Sequence, residues 1–205
     1  MTPRSLPLLV RAGLAIVGGS VVLAGLAACS SDPEPEPGPH QTVTAAPSQA
    51  PEETPTPTPT PEATGSTVAL TCDELLTMDD VYAFNPNFGT APDYVPTAGS
   101  AVETAAGYNG LVCGWSNQTS GDLIEFAVVA PNDVLMSQRK NTAVAETKAV
   151  PTYGAPPIEG FFSIAGGPGV AQVFTGPYWV VAQSPAFFEP GDAQTLLTAA
   201  VSHLP

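Results

Sequence analysis

The chain has 205 residues, and its 5 Lys and Arg stand against 19 Asp and Glu, for a formal net charge of −14. Five basic side chains cannot neutralise a nucleic-acid backbone, because that takes clusters of Lys and Arg. The composition therefore excludes a nucleic-acid partner, and the length suggests one domain with extensions.

The N-terminus has the pattern of an export signal. Arg4 and Arg11 precede an apolar, uncharged run at residues 12–28. This run of 17 residues is shorter than the roughly 20 that a membrane-spanning helix needs. A signal peptide that is removed on export fits the pattern better than a transmembrane helix.

Residues 26–29 read LAAC and are followed by the polar SSD. This segment resembles the lipobox of bacterial lipoproteins, in which the cysteine is lipidated and the chain is cut just before it. The resemblance implies a lipoprotein signal peptide at residues 1–28 and acyl chains such as palmitate on Cys29. Two or more acyl chains hold a protein stably on a bilayer, which predicts a location on the outer face of the cell membrane. The alternative is a plain signal peptide with Cys29 as an ordinary thiol.

Residues 29–66 are predicted to be a lipidated cysteine followed by a disordered stalk. Ten of the 24 prolines fall between Pro33 and Pro61, and the segment is too polar to bury a core. A Pro-rich chain extends by roughly 3.1 Å per residue, so the stalk could span on the order of 100 Å. Alternating Thr and Pro is also typical of O-glycosylated stalks. The candidate acceptors are Thr54, Thr56, Thr58 and Thr60, although an unmodified spacer fits the pattern equally well.

Residues 67–205 are predicted to form one globular domain. It contains two cysteines, Cys72 and Cys113, and an exported domain with an even pair favours a disulfide. Closing a loop of about 40 residues would stabilise the fold by roughly 4 kcal/mol. A redox or metal role is disfavoured, because there is no Cys-x-x-Cys motif and the domain has only one histidine, His203.

Two short helices are expected at the start of the domain. Thr71 and Glu74 have the spacing of a capping box, and Thr77 begins a second helical turn that Pro86 terminates. Residues 85–109 show no clear period and are predicted to be a long loop, which is where function often lies.

The rest of the domain alternates between strand and helix patterns. Asn132 is expected to cap one helix, and Asp192 to cap an amphipathic helix at the end of the chain. The predicted strands are 111–115, 123–130, 161–164, 169–175 and 178–183. The fold class is therefore α+β, with a mostly antiparallel sheet of about five strands and helices packed against it.

Catalytic motifs are absent from the sequence. His203 has no partner pattern for a nucleophilic triad, and no metal-binding or phosphate-binding motif occurs. The carboxylate pairs Asp73-Glu74 and Asp79-Asp80 lie at predicted helix starts, where acids are favourable for the helix dipole. We therefore expect no catalytic residues, no metal and no cofactor.

The aromatic residues allow two interpretations. Trp115 follows Cys113 by two residues, so both side chains should share one face of a strand. Core packing accounts for such residues, but exposed aromatics could also line a ligand or partner surface. The candidates for that surface are Trp115, Tyr178, Trp179, Phe187 and Phe188.

Taken together, the LAAC segment, the Pro/Thr stalk, Cys72 opening a helix and the Cys113-Gly114-Trp115 strand resemble exported actinobacterial lipoproteins of unknown function. The resemblance implies a small α+β domain used for binding, and it brings no established activity. It predicts a membrane-anchored, non-catalytic domain that binds a small molecule, a peptide or a membrane-protein partner of the cell envelope. The alternatives are an envelope hydrolase that uses two carboxylates, and a structural lipoprotein that only binds a partner.

Overall fold

An antiparallel β-sheet organises the part of the chain that the structure describes. The structure is a computed structural model, and it describes residues 59–164 and 167–205. These residues belong to one unit, Pro55–Pro205. The predicted signal peptide, Cys29, Thr54, Thr56 and Thr58 lie outside the described residues, whereas Thr60 lies within them and is exposed.

The described residues contain eight strands and five α-helices. The strands are β1 (Gly65–Ser66), β2 (Phe88–Thr90), β3 (Leu111–Asn117), β4 (Leu123–Pro131), β5 (Lys148–Ala149), β6 (Glu159–Ile164), β7 (Gly169–Thr175) and β8 (Tyr178–Ser184). The helices are α1 (Cys72–Leu75), α2 (Met78–Phe84), α3 (Ala101–Ala106), α4 (Asp133–Glu146) and α5 (Pro190–Ser202), with a 3-10 helix at Pro151–Tyr153. None of the helices in residues 59–164 and 167–205 has the length and apolar character that crossing a membrane requires.

The strand order is β2-β3-β4-β8-β7-β6-β5, with β1 paired to the end of β4. Every neighbouring pair is antiparallel. The α+β class and the antiparallel sheet are confirmed, but the predicted count of about five strands is too low. The three additional strands, β1, β2 and β5, have only two or three residues, which is too short for an alternating pattern to appear in the sequence.

Helices cover both faces of the sheet. On the first face, α1, α2 and α5 pack on the side chains of one buried cluster, which includes Trp115 and Phe162. On the second face, α3 and α4 pack on a separate cluster that includes Phe161 and Trp179. Adjacent residues of one strand point to opposite faces. Phe161 and Phe162 are therefore both buried, each in its own layer of the core.

The folded part begins before the predicted boundary at residue 67. Gly65 and Ser66 pair with the end of β4 as strand β1. Asn132 strengthens this junction, since its side-chain amide donates to the carbonyl of Glu62 at 2.8 Å. Residues that were predicted to belong to the stalk therefore contribute backbone hydrogen bonds to the domain.

Three of the predicted helix starts are confirmed and one is wrong. Thr71 and Thr77 each form a capping box, with Glu74 and Asp80, and Asn132 caps α4. Asp192 does not cap α5. The N-cap is Glu189, and Asp192 is the third helical residue, whose carboxylate accepts the backbone N–H of Glu189 at 2.9 Å. An acid at the N-cap and an acid at the third helical position can both accept from exposed N–H groups at the start of a helix. The sequence alone therefore could not show which of the two positions Asp192 occupies.

Cys72 and Cys113 form the predicted disulfide, which joins α1 to β3. Cys113 and Trp115 share the first face, as their spacing predicts, and both are buried.

The predicted loop at 85–109 is interrupted by β2 and α3. What remains between these elements is a shorter segment, residues 91–100, which we call the wall loop. It passes over the second face, beside α3.

Candidate functional site

Glu125 is the only charged side chain among the buried residues that the structure describes, with 3% of its surface exposed. It lies on β4 and points to the second face. Its cross-strand neighbours are Gly114 on β3 and Gln183 on β8. Burying a carboxylate costs several kcal/mol unless hydrogen bonds replace the lost water, so its partners define the site.

Two donors from the wall loop bind one oxygen of Glu125. The hydroxyl of Tyr94 and the backbone N–H of Thr97 both donate to Oε1 at 2.8 Å. Burial raises the pKa of Tyr94, and the hydrogen bond to Glu125 and its negative charge raise it further. Glu125 therefore fixes the wall loop to the sheet.

Gly114 makes room for this contact. The ring of Tyr94 occupies the space in which any larger residue at position 114 would place its Cβ. The absence of a side chain on β3 thus lets Tyr94 reach across to the next strand.

Gln183 is a second polar side chain on the same floor, with 6% of its surface exposed. Its Oε1 accepts the backbone N–H of Ala101, the first residue of α3, at 3.1 Å. This bond assigns the amide orientation, so Nε2 is left as a donor. Within the described residues Nε2 of Gln183 and Oε2 of Glu125 make no hydrogen bond. Neither atom is among the side-chain atoms that are both unpaired and completely buried.

Both side chains line a groove on the second face. It consists of two depressions of about 490 Å³ and 260 Å³ that share Thr97, Pro168 and Gln183. We call it the Glu125 groove. The other lining residues are Ala98, Gly99, Ser100, Ala101, Thr104, Gly121, Asp122, Leu123, Glu125, Val170 and Pro185.

The Glu125 groove is electrostatically negative. Asp122 and Glu125 line it, and none of the lining residues is Lys, Arg or His. Two of the basic residues in the described part of the chain are engaged elsewhere. The guanidinium of Arg139 lies 5.2 Å and 5.4 Å from the ring centroids of Tyr108 and Trp179, and Lys140 forms an ion pair with Glu159 at 2.6 Å.

The predicted aromatic surface does not form as a unit. Trp115, Trp179 and Phe187 are buried, Tyr178 is half-buried, and only Phe188 is well exposed, at 77%. Trp115 and Phe187 belong to the core of the first face and Trp179 to that of the second. Because both faces are covered by helices, Trp115 on β3 and Trp179 on β8 are buried in opposite layers of the core.

The residues considered for catalysis lie apart from the groove. His203 Nδ1 is 3.0 Å from the carbonyl of Leu75, on the first face. Glu74 and Asp80 are engaged in capping boxes. Among the described residues, no group of three His, Cys, Asp or Glu side chains could hold a metal ion.

Sequence reasoning missed Glu125, although a signal was present. Residues 123–130 read LIEFAVVA, in which one acid interrupts an otherwise apolar strand. An acid at a core position of a strand is rare unless it is paired. The pattern therefore marked Glu125, but not its partners Tyr94 and Thr97, which come from the wall loop.

The chain matches no protein-family model. No curated protein and no solved structure is significantly similar to it either. The function is therefore argued from the groove.

Proposed function

We propose that this protein is an exported lipoprotein whose folded domain binds a small molecule in the Glu125 groove and does not catalyse a reaction. The observation that supports binding is the pair of buried side chains, Glu125 and Gln183, on the floor of an open groove. In both residues Oε1 accepts hydrogen bonds from the surrounding chain. Oε2 of Glu125 and Nε2 of Gln183 make no hydrogen bond within the described residues and are the atoms proposed to contact a ligand.

This arrangement supports a binding role more than a purely structural one. A buried carboxylate is stabilised best when both oxygens are hydrogen-bonded, and here both donors converge on Oε1. The same holds for Gln183, whose carbonyl is bonded and whose amide nitrogen makes no hydrogen bond within residues 59–164 and 167–205. The carboxylate of Glu125 and the amide of Gln183 lie on neighbouring strands. Together they provide the few convergent polar contacts that a ligand site needs.

The envelope hydrolase is the alternative. Two carboxylates about 5–10 Å apart would be required, and Asp122 is the second acid that lines the groove. Asp122 is engaged in the turn before β4, where it accepts from the hydroxyl of Ser120 at 2.7 Å. This engagement favours binding over hydrolysis.

Membrane anchoring is the second part of the proposal. The chain has three cysteines, and the disulfide uses Cys72 and Cys113, which leaves Cys29 for lipidation. Cleavage before Cys29 would leave 3 basic residues against 19 acidic ones, for a formal charge of −16. Such a chain is repelled by anionic headgroups, so the acyl chains would supply the attachment to the outer face of the membrane.

Native mass spectrometry of the full chain, purified from membranes in mild detergent, tests the binding function. A bound small molecule is expected as an adduct on the wild-type protein. Ala98→Trp should abolish the adduct, because residue 98 is exposed and lines the groove. Thr198→Trp is the matched control, since it fills a similar depression on the outer surface of α5.

The proposal is wrong if no adduct appears, or if Ala98→Trp retains the adduct that Thr198→Trp shows. Turnover of a cell-envelope polymer by the wild-type chain, lost in Asp122→Asn, would instead support the hydrolase.

A further inference from the structure

We infer that the ligand of the Glu125 groove carries a protonated amino group next to a hydroxyl or carbonyl group. This inference rests on the proposed function, and it names the class of ligand that the same site would take. It follows from the charge of the lining residues and from two polar atoms that make no hydrogen bond within the described residues, Oε2 of Glu125 and Nε2 of Gln183. It also follows from the cross-strand pairing of these two residues.

The charge of the lining selects against anions. The groove has two carboxylates and no basic lining residue. A phosphate or carboxylate ligand would place a like charge beside the buried Glu125 without a compensating cation, which is strongly unfavourable. A cationic ligand gains the opposite interaction, and it gains most where water is excluded.

The second oxygen of Glu125 selects for a hydrogen-bond donor, and its negative charge favours a donor that is cationic. Oε2 is an acceptor only, and its geometry is fixed because Oε1 is held by Tyr94 and Thr97. A protonated amine supplies up to three donors for it. A quaternary ammonium group supplies none and is bound by aromatic rings, which are absent from the residues that line this groove.

The free nitrogen of Gln183 adds the second requirement. Nε2 donates, so the ligand must offer an acceptor to it. Glu125 and Gln183 are directly opposite each other on β4 and β8. Cross-strand neighbours have Cβ atoms roughly 4.5–5.5 Å apart, so one small ligand can reach both side chains with its amino group and its acceptor close together.

Glucosamine and glucose form a probe pair that isolates the amino group. They differ in one substituent, and glucosamine carries its ammonium group between two hydroxyls. Binding to the full chain in detergent is measured by isothermal titration calorimetry. Glucosamine is expected to bind the wild-type protein at least tenfold more tightly than glucose.

Glu125→Gln is the decisive variant. Its amide oxygen can still accept from Tyr94 and Thr97, whereas a donor replaces Oε2, so the fold should persist and the preference for glucosamine should disappear. Glu146→Gln is the matched control, because it makes the same change at an exposed acid that does not line the groove and should retain the preference. Circular dichroism of both variants verifies that they are folded.

Equal binding of the two sugars, binding of neither, or an unchanged preference in Glu125→Gln would overturn the inference. The proposed function is judged separately by the native adduct. If the adduct is lost in Ala98→Trp but is a neutral or anionic compound, the proposed binding groove stands and only the inference of an amino group in the ligand is wrong.

Discussion

The bond between Tyr94 and Glu125 connects the wall loop to the sheet through a single hydroxyl. Burial raises the pKa of Tyr94, and the effect of Glu125 adds to it. Burial and the charge of Asp192 likewise raise the pKa of Tyr153. Both tyrosines therefore keep their protons in the folded state at a pH at which an unfolded tyrosine, with a pKa of about 10, has begun to lose its own.

This difference predicts a loss of stability at alkaline pH. Through these tyrosines the folded state binds more protons than the unfolded state above about pH 10, so their contribution to the free energy of unfolding should be constant below that pH and fall as the pH rises further. Tyr94→Phe should make the decline clearly shallower, and it should cost about 1.5–3 kcal/mol at neutral pH through the lost hydrogen bond to a carboxylate. Urea unfolding between pH 8 and 11.5 measures both effects.

Tyr82→Phe is the control for this experiment, because Tyr82 is 64% exposed. A Tyr94→Phe variant with the same alkaline decline as the wild-type protein would contradict the assignment.

Gly114 carries a second prediction at the scale of one residue. Alanine at this position would collide with the ring of Tyr94, and such overpacking costs about 1–3 kcal/mol. The cost should largely disappear in the background of Tyr94→Ala, where the ring is gone. A double-mutant cycle measured by chemical denaturation gives the coupling directly. Additive effects of the two changes would show that Gly114 does not serve to admit Tyr94.

At the scale of elements, α1 has only four residues and cannot be stable by itself. Its capping box satisfies its first N–H groups, and the disulfide attaches its first residue to β3. Leu75 and Leu76 then complete the core of the first face. The helix is thus held by covalent and packing contacts more than by its own propensity.

Replacing Cys72 and Cys113 together by serine should destabilise the domain by roughly 4 kcal/mol, since the bridge closes a loop over a sequence separation of 41 residues. Denaturant midpoints of the oxidised wild-type protein and the double variant, compared at a fixed m-value, measure the loss. Cys29→Ser is the matched control and should leave the midpoint unchanged. A loss below about 1 kcal/mol would mean that packing alone holds α1 in place.

The elements also show which parts of the fold the sequence could predict. Long strands with turn residues between them, such as β7 and β8, and helices with Thr or Asn caps were found correctly, because their signals are local. β2 and α3 were missed within residues 85–109, because three and six residues are too few to establish a period. Their positions are set by pairing with β3 and by packing on β4, β3 and β8.

The candidate site was predictable only in part. The long loop that was expected to carry function does supply the wall of the groove, through Tyr94 and Thr97. The predicted aromatic surface does not form as a unit. No local sequence pattern reveals that helices cover both faces of the sheet. Glu125 was visible as an acid in an apolar strand, but its meeting with Gln183 depends on the β4–β8 pairing, which joins residues 58 positions apart.

At the scale of the whole chain, the segment before the domain and the domain itself have separate proposed roles. Residues 26–29 predict that the chain is acylated at Cys29. The proposed attachment to the membrane is through this cysteine.

Metabolic labelling with an alkyne fatty acid tests this dependence. The wild-type chain should incorporate the label, and Cys29→Ser should incorporate none. Cys72→Ser is the control and should be labelled like the wild-type chain, because Cys72 belongs to the disulfide. Label retained in Cys29→Ser would show that residues 26–29 are not a lipidation signal.

Thr97 of the wall loop donates its N–H to Glu125 on the floor of the groove, and Ala101, the first residue after the loop, donates its N–H to Gln183. The residues that would receive a ligand are thus the same ones that hold the wall in place. A ligand that immobilises the side chains of Glu125 and Gln183 would slow hydrogen–deuterium exchange at the amides of Thr97 and Ala101. Exchange rates at these two positions would then report occupancy of the groove before the chemical identity of its occupant is known.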